Sequence, residues 1–155
     1  MALHLALYLV REQQVLAHRI TILATYTAQL FKLVDSRKNL NLNELAMVRM
    51  TVVDNFQGEE NDVIILSLVR NNKRNSVGFL RIDNRICVAL SRARNGLYIL
   101  GNMRMLSAAS PLWAHIERVL TENGEIGEEI PLRCDKHHQA VHKVNNTINT
   151  VLTRS

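Results

Sequence analysis

The sequence predicts an α/β domain built on a mainly parallel sheet with helices packed against it. One reason is two nearly continuous runs of Val, Ile and Leu, at residues 48–53 and 63–69, which are typical of strands covered on both faces. A second is that these runs alternate with segments whose apolar residues have helical spacing. With 155 residues, of which 47% are hydrophobic and 21% charged, the chain has the size and balance of one globular domain.

The first part of the chain predicts a helix, a strand and a second helix. The alternating leucines of residues 2–10 would also fit a strand, but Leu and Ala favour the helix. Residues 19–25 are a β-branched run that predicts a strand, and residues 26–34 have helical spacing. The polar, Asn-rich stretch 35–45 is the candidate linker before the middle of the chain.

Four further elements follow the second buried run. They are a helix at 84–94 that Asn95 and Gly96 end, a strand at 97–100, and helices at 103–109 and 111–122, the last with Pro111 in its first turn. From residue 123 onward the pattern decays into a polar segment rich in His, Asn and Thr. We expect a flexible tail or the start of a truncated Cys/His-rich region there.

Charge and cysteine content narrow the class of protein. Lys and Arg outnumber Asp and Glu by 19 to 14, a net charge of +5 that favours an anionic partner such as nucleic acid, a nucleotide or an acidic membrane. Two cysteines give no disulfide framework, which indicates the cytoplasm or the nucleus. The opening apolar run lacks a basic leader and a cleavage site, and no stretch reaches the roughly 20 residues that span a bilayer.

The polar segment between the two buried runs, VDNFQGEEND at residues 53–62, has the composition of a phosphate-binding turn. Its glycine lets a backbone amide approach a phosphate, and a nearby carboxylate can accept a hydrogen bond from a ribose hydroxyl or orient a water. A tight turn with a solvated acidic tip explains the same residues, so both interpretations stay open.

The helix predicted at residues 84–94, NRICVALSRAR, carries two arginines at related positions. Arg85 and Arg92 are seven residues apart, which places them on nearly one helical face. Guanidinium groups match phosphate oxygens bidentately, and an arginine delivered to a transferring γ-phosphoryl group raises the rate about 10³- to 10⁵-fold. The alternative is a basic helix face that meets solvent or acidic neighbours.

Together the two segments resemble motifs V and VI of superfamily 1 helicases, whose pattern V-D-x-F-Q-G-x-E-x-D-x-I-I-x-S-x-V-R precedes a helix ending in A-L-T/S-R-A-R. Here they read VDNFQGEENDVIILSLVR and NRICVALSRAR, followed by GLYILGN. The segment ITILATYTAQ resembles the motif IV region, and PLWAHIERVL resembles the closing helix. Within the superfamily the chain is similar to the branch of the nonsense-mediated-decay helicase, and most similar to its NFX-type zinc-finger-containing helicases.

The resemblance implies a fold and a division of the chain. Residues 1–123 would form an N-terminally truncated second RecA-like domain, of P-loop NTPase fold but without its own phosphate loop, and residues 124–155 a tail. No Gly-x-x-x-x-Gly-Lys-Ser/Thr and no Walker-B acidic motif occurs in the sequence. We therefore expect ATP and Mg²⁺ to be shared with the first RecA-like domain of the same helicase, and the isolated chain to be inactive.

The resemblance also implies roles for individual residues. Arg92 matches the arginine finger, which completes a catalytic set with Gln57 and Glu60. The ATP-binding residues would be Gly58, Glu60, Arg85 and Arg92. Weaker candidates for contact with nucleic acid are Thr25, Tyr26 and Arg70, although Tyr26 fits equally a core aromatic with a satisfied hydroxyl. Cys87 stands where the decay helicase commonly has an asparagine, and we expect it to pack in the interior.

The function that follows is the C-terminal motor domain of an ATP-dependent RNA or DNA helicase. It would supply the arginine finger and part of a sequence-tolerant track for a single strand. The alternative is a catalytically silent nucleic-acid-binding or interaction module derived from a helicase domain. Zinc binding is disfavoured, since one cysteine and three histidines (Cys134, His137, His138 and His142) lack the paired spacing of a structural site. No membrane partner is expected.

Overall fold

The computed structural model describes residues 1–68, 83–127, 131–133, 141–143 and 149–154. Its centre is a sheet of four parallel strands: β1 (Ile20–Ala24), β2 (Arg49–Val52), β3 (Asn61–Ser67) and β4 (Ala93–Gly101). They lie in the order β2-β1-β3-β4. Because neighbouring strands are parallel, each connection runs from the carboxyl end of one strand back to the amino end of the next. The predicted α/β class with a parallel sheet is confirmed.

Helices cover both faces of this sheet, as the continuous apolar runs predict. On one face lie α1 (Ala2–Arg11) and the partly buried side of α2 (Thr27–Asn39). On the other lie α3 (Asp83–Leu90), α4 (Met103–Ala109) and α5 (Pro111–Glu122). All five residues of β1 are buried because this strand lies inside the sheet with an apolar layer on each side.

The side chains of the strands alternate between the two apolar layers. In β1, Leu23 belongs to the α3–α5 layer, whereas Ile20 and Ile22 belong to the α1 layer. In β3, Ile64 and Leu66 face the α3–α5 layer and Ile65 the α1 layer, as expected for strands with a side-chain period of two. The sheet is thus fixed in register from both sides.

Helix bounds agree with the sequence where local signals exist. Helices α4 and α5 have the predicted bounds: the side chain of Asn102 accepts a hydrogen bond from the amide of Met105, and Pro111 occupies the first turn of α5. The predicted linker at 35–45 is wrong in part, because α2 continues to Asn39. A 3₁₀ turn, Asn43–Leu45, then buries Leu45 completely.

The helix predicted at residues 84–94 is shorter in the structure than the sequence predicts. Helix α3 ends at Leu90, Ser91 and Arg92 form a turn, and β4 begins at Ala93. Arg85 and Arg92 therefore do not share a helical face, and that prediction is wrong. The reason is that Ala93 pairs with Asn61 as the first pair of the β3–β4 ladder, so strand pairing overrides the local helix propensity.

Beyond α5 the described residues add antiparallel strands. β8 (Asn149–Arg154) pairs with β4, and β5 (Ile126–Gly127) pairs with β8, which extends the sheet to six strands. β6 (Pro131–Arg133) and β7 (Val141–Lys143) pair with each other. Segment 124–155, expected to be a tail, thus contributes to the sheet, while the division at residue 123 stays a prediction.

Some predicted residues lie outside what the structure describes. Arg70 is one, and the zinc candidates Cys134, His137 and His138 are others; of His142 only the backbone is described. Cys87 was expected to pack, but it is exposed on α3, so that prediction is wrong. Across the described ranges, none of the helices has the length and apolar content that crossing a bilayer requires.

Candidate functional site

Because the strands are parallel, their amino ends form one side of the sheet, here called the amino edge, and their carboxyl ends form the opposite side, the carboxyl edge. The segment VDNFQGEEND at residues 53–62 passes from the carboxyl edge to the amino edge. Val52, the last residue of β2, is level with Ala24 at the carboxyl end of β1. Asn61, the first residue of β3, lies two residues before Val63, which is level with Ile20 at the amino end of β1. The residues between β2 and β3 therefore return along about 20 Å of sheet, at roughly 3.3 Å per residue, to the amino edge.

The turn at Gly58 projects from this returning segment. Val53 and Phe56 anchor a 3₁₀ turn in the core, each about 1% exposed, and the four residues after Phe56 are exposed. Gly58 has φ +79°, in the left-handed region that costs other residues roughly 1–2 kcal/mol. A Cβ built there would have no atom within 4 Å, so the backbone at Gly58 is open to an approaching group.

Arg92 lies against this turn. Its Nη1 donates to the carbonyl oxygen of Glu59 at 3.3 Å, and the amide of Asn61 donates to the carbonyl oxygen of Arg92 at 3.1 Å. The guanidinium also donates through Nε to the carbonyl oxygen of Val88 at 2.9 Å and through Nη2 to Ser91 Oγ at 2.9 Å. Both the main chain and the side chain of Arg92 are therefore fixed to the segment that follows Gly58.

The partners of Arg92 differ from those of the neighbouring arginines. Each of four other arginines is paired with a carboxylate: Arg94 with Glu60, Arg49 with Glu59, Arg85 with Asp54 at 3.4 Å, and Arg19 with Asp62 at 3.4 Å. Arg92 instead donates to two carbonyl oxygens and a hydroxyl, and it forms no ion pair within the described residues. Among the residues that the structure describes, neutral oxygens and no carboxylate thus hold its positive charge in place.

The structure brings some predicted site residues together and keeps others apart. Arg92 donates to the carbonyl oxygen of Glu59, which stands between Gly58 and Glu60 in the turn, and Gln57 is exposed in the same turn. The carboxylate of Glu60 is occupied, since Oε1 accepts from Arg94 Nε at 2.8 Å, although both side chains are 55% exposed. Arg85 does not join Arg92, because it pairs with Asp54, just past the end of β2.

Asn61 is a residue of this site that the sequence does not predict. Its Nδ2 donates to Thr21 Oγ1 at 2.9 Å and to the carbonyl oxygen of His18 at 3.1 Å, which ties the start of β3 to the start of β1. Thr21 is fully buried. No local signal marks Asn61, because it occupies a variable position of the motif and its partners are 40 and 43 residues away in sequence.

Of the candidate nucleic-acid residues, the two that the structure describes, Thr25 and Tyr26, lie at the opposite, carboxyl edge. Thr25 is 4% exposed, and its hydroxyl donates to Gln29 Oε1 at 3.4 Å, while Gln29 Nε2 donates to Ser67 Oγ at 2.7 Å. Tyr26 is half-buried, packs against the α3–α5 layer, and accepts the first hydrogen bonds of α2 through its carbonyl oxygen. The structure therefore leaves accessible side-chain surface at Tyr26 and little at Thr25.

Comparison with known proteins decides the family. A family model described as an AAA domain matches residues 1–104. The chain belongs to this AAA domain family. The human NFX1-type zinc finger-containing protein 1 is 53% identical to the chain over 137 aligned residues, an alignment that covers 86% of the chain and 7% of that protein. The Helicase required for RNAi-mediated heterochromatin assembly 1 of Schizosaccharomyces pombe is 42% identical over 136 residues, 85% of the chain and 13% of that protein.

A third relative carries the nonsense-mediated-decay resemblance. Regulator of nonsense transcripts 1 of Dictyostelium discoideum is 51% identical over 74 residues, which are 48% of the chain and 6% of that protein. The helicase branch inferred from VDNFQGEEND and NRICVALSRAR is thereby confirmed, and the parallel sheet with helices on both faces is the fold of a RecA-like helicase domain. The chain spans between 6% and 13% of the lengths of these three relatives.

Proposed function

We propose that this AAA domain is the C-terminal motor domain of an ATP-dependent RNA or DNA helicase and that Arg92 is its arginine finger. The supporting observation is that the described partners of the Arg92 guanidinium are all neutral oxygens, one of which is the carbonyl oxygen of Glu59, the residue after Gly58. A positive charge fixed by neutral oxygens keeps its attraction for a phosphate, whereas the paired arginines around it have that attraction satisfied.

The geometry gives Arg92 a simple way to act. Nη1 makes the longest of its three side-chain bonds, 3.3 Å to the Glu59 carbonyl oxygen, while Nε and Nη2 are each held at 2.9 Å. A phosphate oxygen in front of Gly58 would replace the weakest acceptor and leave the other two in place. The guanidinium then needs little reorganisation as charge develops on a transferring phosphoryl group, which is the condition for electrostatic stabilisation.

The other residues of the amino edge support this assignment. The open backbone at Gly58 fits the close approach of a phosphate, and Gln57 is exposed beside it. Glu60 would accept from a nucleotide hydroxyl by exchanging its bond to Arg94. Arg85, paired with Asp54 and not with Arg92, would contribute only at the border of the site. ATP and Mg²⁺ would be held mainly by a first RecA-like domain, with the metal neutralising phosphate charge.

Nucleic acid would bind at the other end of the strands. Tyr26 offers an aromatic surface at the carboxyl edge, and stacking on a base suits a track that must tolerate every sequence. Thr25 would act through the polar contacts that fix the start of α2. Because the two surfaces are at opposite edges, one domain can contact the nucleotide and the nucleic acid at the same time, and the two ligands do not compete for the same residues.

The test uses a chimera of the Schizosaccharomyces pombe relative in which this AAA domain replaces the matching segment. We expect ATP turnover stimulated by single-stranded RNA in the chimera, and a loss of about 10³-fold or more in Arg92→Ala. Arg104→Ala removes an exposed arginine of α4 and is the matched control, expected to stay within twofold. Arg92→Ala with more than a tenth of the chimera's rate, or a folded but inactive chimera, would contradict the motor assignment.

A further inference from the structure

We infer that Ser91 is a positioning residue for Arg92: its hydroxyl fixes the guanidinium at the end of α3 so that only Nη1 is left to exchange. The inference rests on the proposed function for its consequence in ATP turnover. The part that concerns structure does not depend on the proposed function, because the order of the Arg92 side chain can be measured in the isolated chain.

Three groups form a closed set of hydrogen bonds at this helix end. Ser91 Oγ donates to the carbonyl oxygen of Val88 at 3.3 Å and accepts from Arg92 Nη2 at 2.9 Å, while Arg92 Nε donates to the same Val88 oxygen at 2.9 Å. The hydroxyl thus uses its donor and an acceptor lone pair at once. The hydroxyl ties Nη2 to the backbone, and Nε bonds to the backbone directly, so two points of one guanidinium plane are held and its rotation is fixed.

The end of α3 explains why this position suits a cation. Helix α3 finishes at Leu90, so the carbonyl of Val88 is among the last four, which have no intrahelical donor. Such carbonyls form the negative end of the helix dipole and favour a positive charge. Arg92 therefore donates a hydrogen bond to a carbonyl oxygen at the end of the helix, and the hydroxyl of Ser91 aligns the guanidinium there. A carboxylate would align it equally well but would neutralise the charge that the proposed function needs.

The chemistry predicts an order among substitutions at position 91. Threonine keeps the hydroxyl and should keep the alignment. Alanine removes both of its hydrogen bonds, so the guanidinium would rotate more freely. Glutamate would hold the guanidinium by an ion pair and remove its net charge. Ser91 is exposed, so none of these changes leaves a cavity, and Ser36→Ala on the exposed face of α2 is the matched control.

The first experiment measures ¹⁵N relaxation of the Arg92 Nε–H group in the isolated chain. We expect a lower order parameter in Ser91→Ala than in wild type, and wild-type values in Ser91→Thr and Ser36→Ala. An unchanged order parameter in Ser91→Ala, with the melting temperature also unchanged, would overturn the inference whatever the activity data show.

The second experiment measures kcat and KM for ATP in the chimera. A misplaced catalytic group costs up to about a hundredfold in rate, so we expect kcat to fall about tenfold to a hundredfold in Ser91→Ala, with KM within about twofold and recovery in Ser91→Thr. Ser91→Glu should fall as far as Arg92→Ala. Full kcat in Ser91→Ala beside an inactive Arg92→Ala would overturn the positioning role, whereas full activity in Arg92→Ala would contradict the proposed function and leave the relaxation result to decide on Ser91.

Discussion

Replacing Gly58 with alanine separates backbone strain from loss of function, because the chain contains a second glycine in the same situation. Gly58 has φ +79° and Gly124, which follows α5, has φ +67°. A Cβ added at either position would meet nothing within 4 Å. Neither substitution introduces a clash, so both should cost the same small amount of stability for the same physical reason.

The expected cost follows from the backbone alone. An alanine in the left-handed region costs about 1–2 kcal/mol, and the stiffer unfolded chain returns about 0.4–1 kcal/mol of it. The net loss is about 1 kcal/mol, which lowers the melting temperature by roughly 2–4 °C in a domain of this size. Thermal unfolding of Gly58→Ala, Gly124→Ala and wild type measures this directly.

ATP turnover should distinguish the two variants. In the chimera, Gly124→Ala should keep the wild-type rate, whereas a methyl group at residue 58 would keep a phosphate from the backbone and lower the rate by about tenfold or more. Equal activities of the two variants would refute the close approach at Gly58. A loss of stability above about 3 kcal/mol in Gly58→Ala alone would refute the open surroundings from which the reasoning starts.

Two further predictions concern stability. Asn61→Ala should lower the free energy of unfolding by about 1–3 kcal/mol, because Thr21 loses a donor in the interior, and Thr21→Val in the Asn61→Ala background should recover part of it; urea titration at equilibrium tests both. The hydrogen bond to Arg11 lowers the pKa of Glu44, so this pair stabilises the fold above the unfolded-state pKa of Glu44 and the stabilisation is lost as the pH falls through the lowered value. The drop in melting temperature from neutral to acidic pH should therefore be smaller in Arg11→Ala than in wild type. Equal drops in the two proteins would contradict the assignment.

The parts of the fold that could be predicted are those with local causes. Helix α5 has the predicted bounds since Pro111 marks its first turn, and the buried strands were evident from their apolar composition. The end of α3 has no local cause: Ser-Arg-Ala-Arg continues a good helical sequence, and only the pairing of Ala93 with Asn61 ends it. Predictions that rested on that helix, such as a shared face for the two arginines, failed with it.

The same distinction applies to the candidate site. The residues of the glycine turn are contiguous, so their identity was readable from the motif. Their partners were not, because the pairs that Arg94 forms with Glu60 and Arg92 with the Glu59 carbonyl join residues 34 and 33 positions apart. Whether a guanidinium keeps its charge or has it neutralised depends on these distant pairings, and a sequence motif carries no record of them.

The two candidate surfaces are the two ends of the same strands, and this has a mechanical consequence. A strand such as β1, packed on both faces, cannot shorten or slip without emptying the layers that cover it, so the sheet behaves as a stiff beam. A displacement imposed at the amino ends of its strands would be passed on to Tyr26 at their carboxyl ends. In the motor proposed above, the length of each step along the nucleic acid would therefore follow from how far the domain rotates.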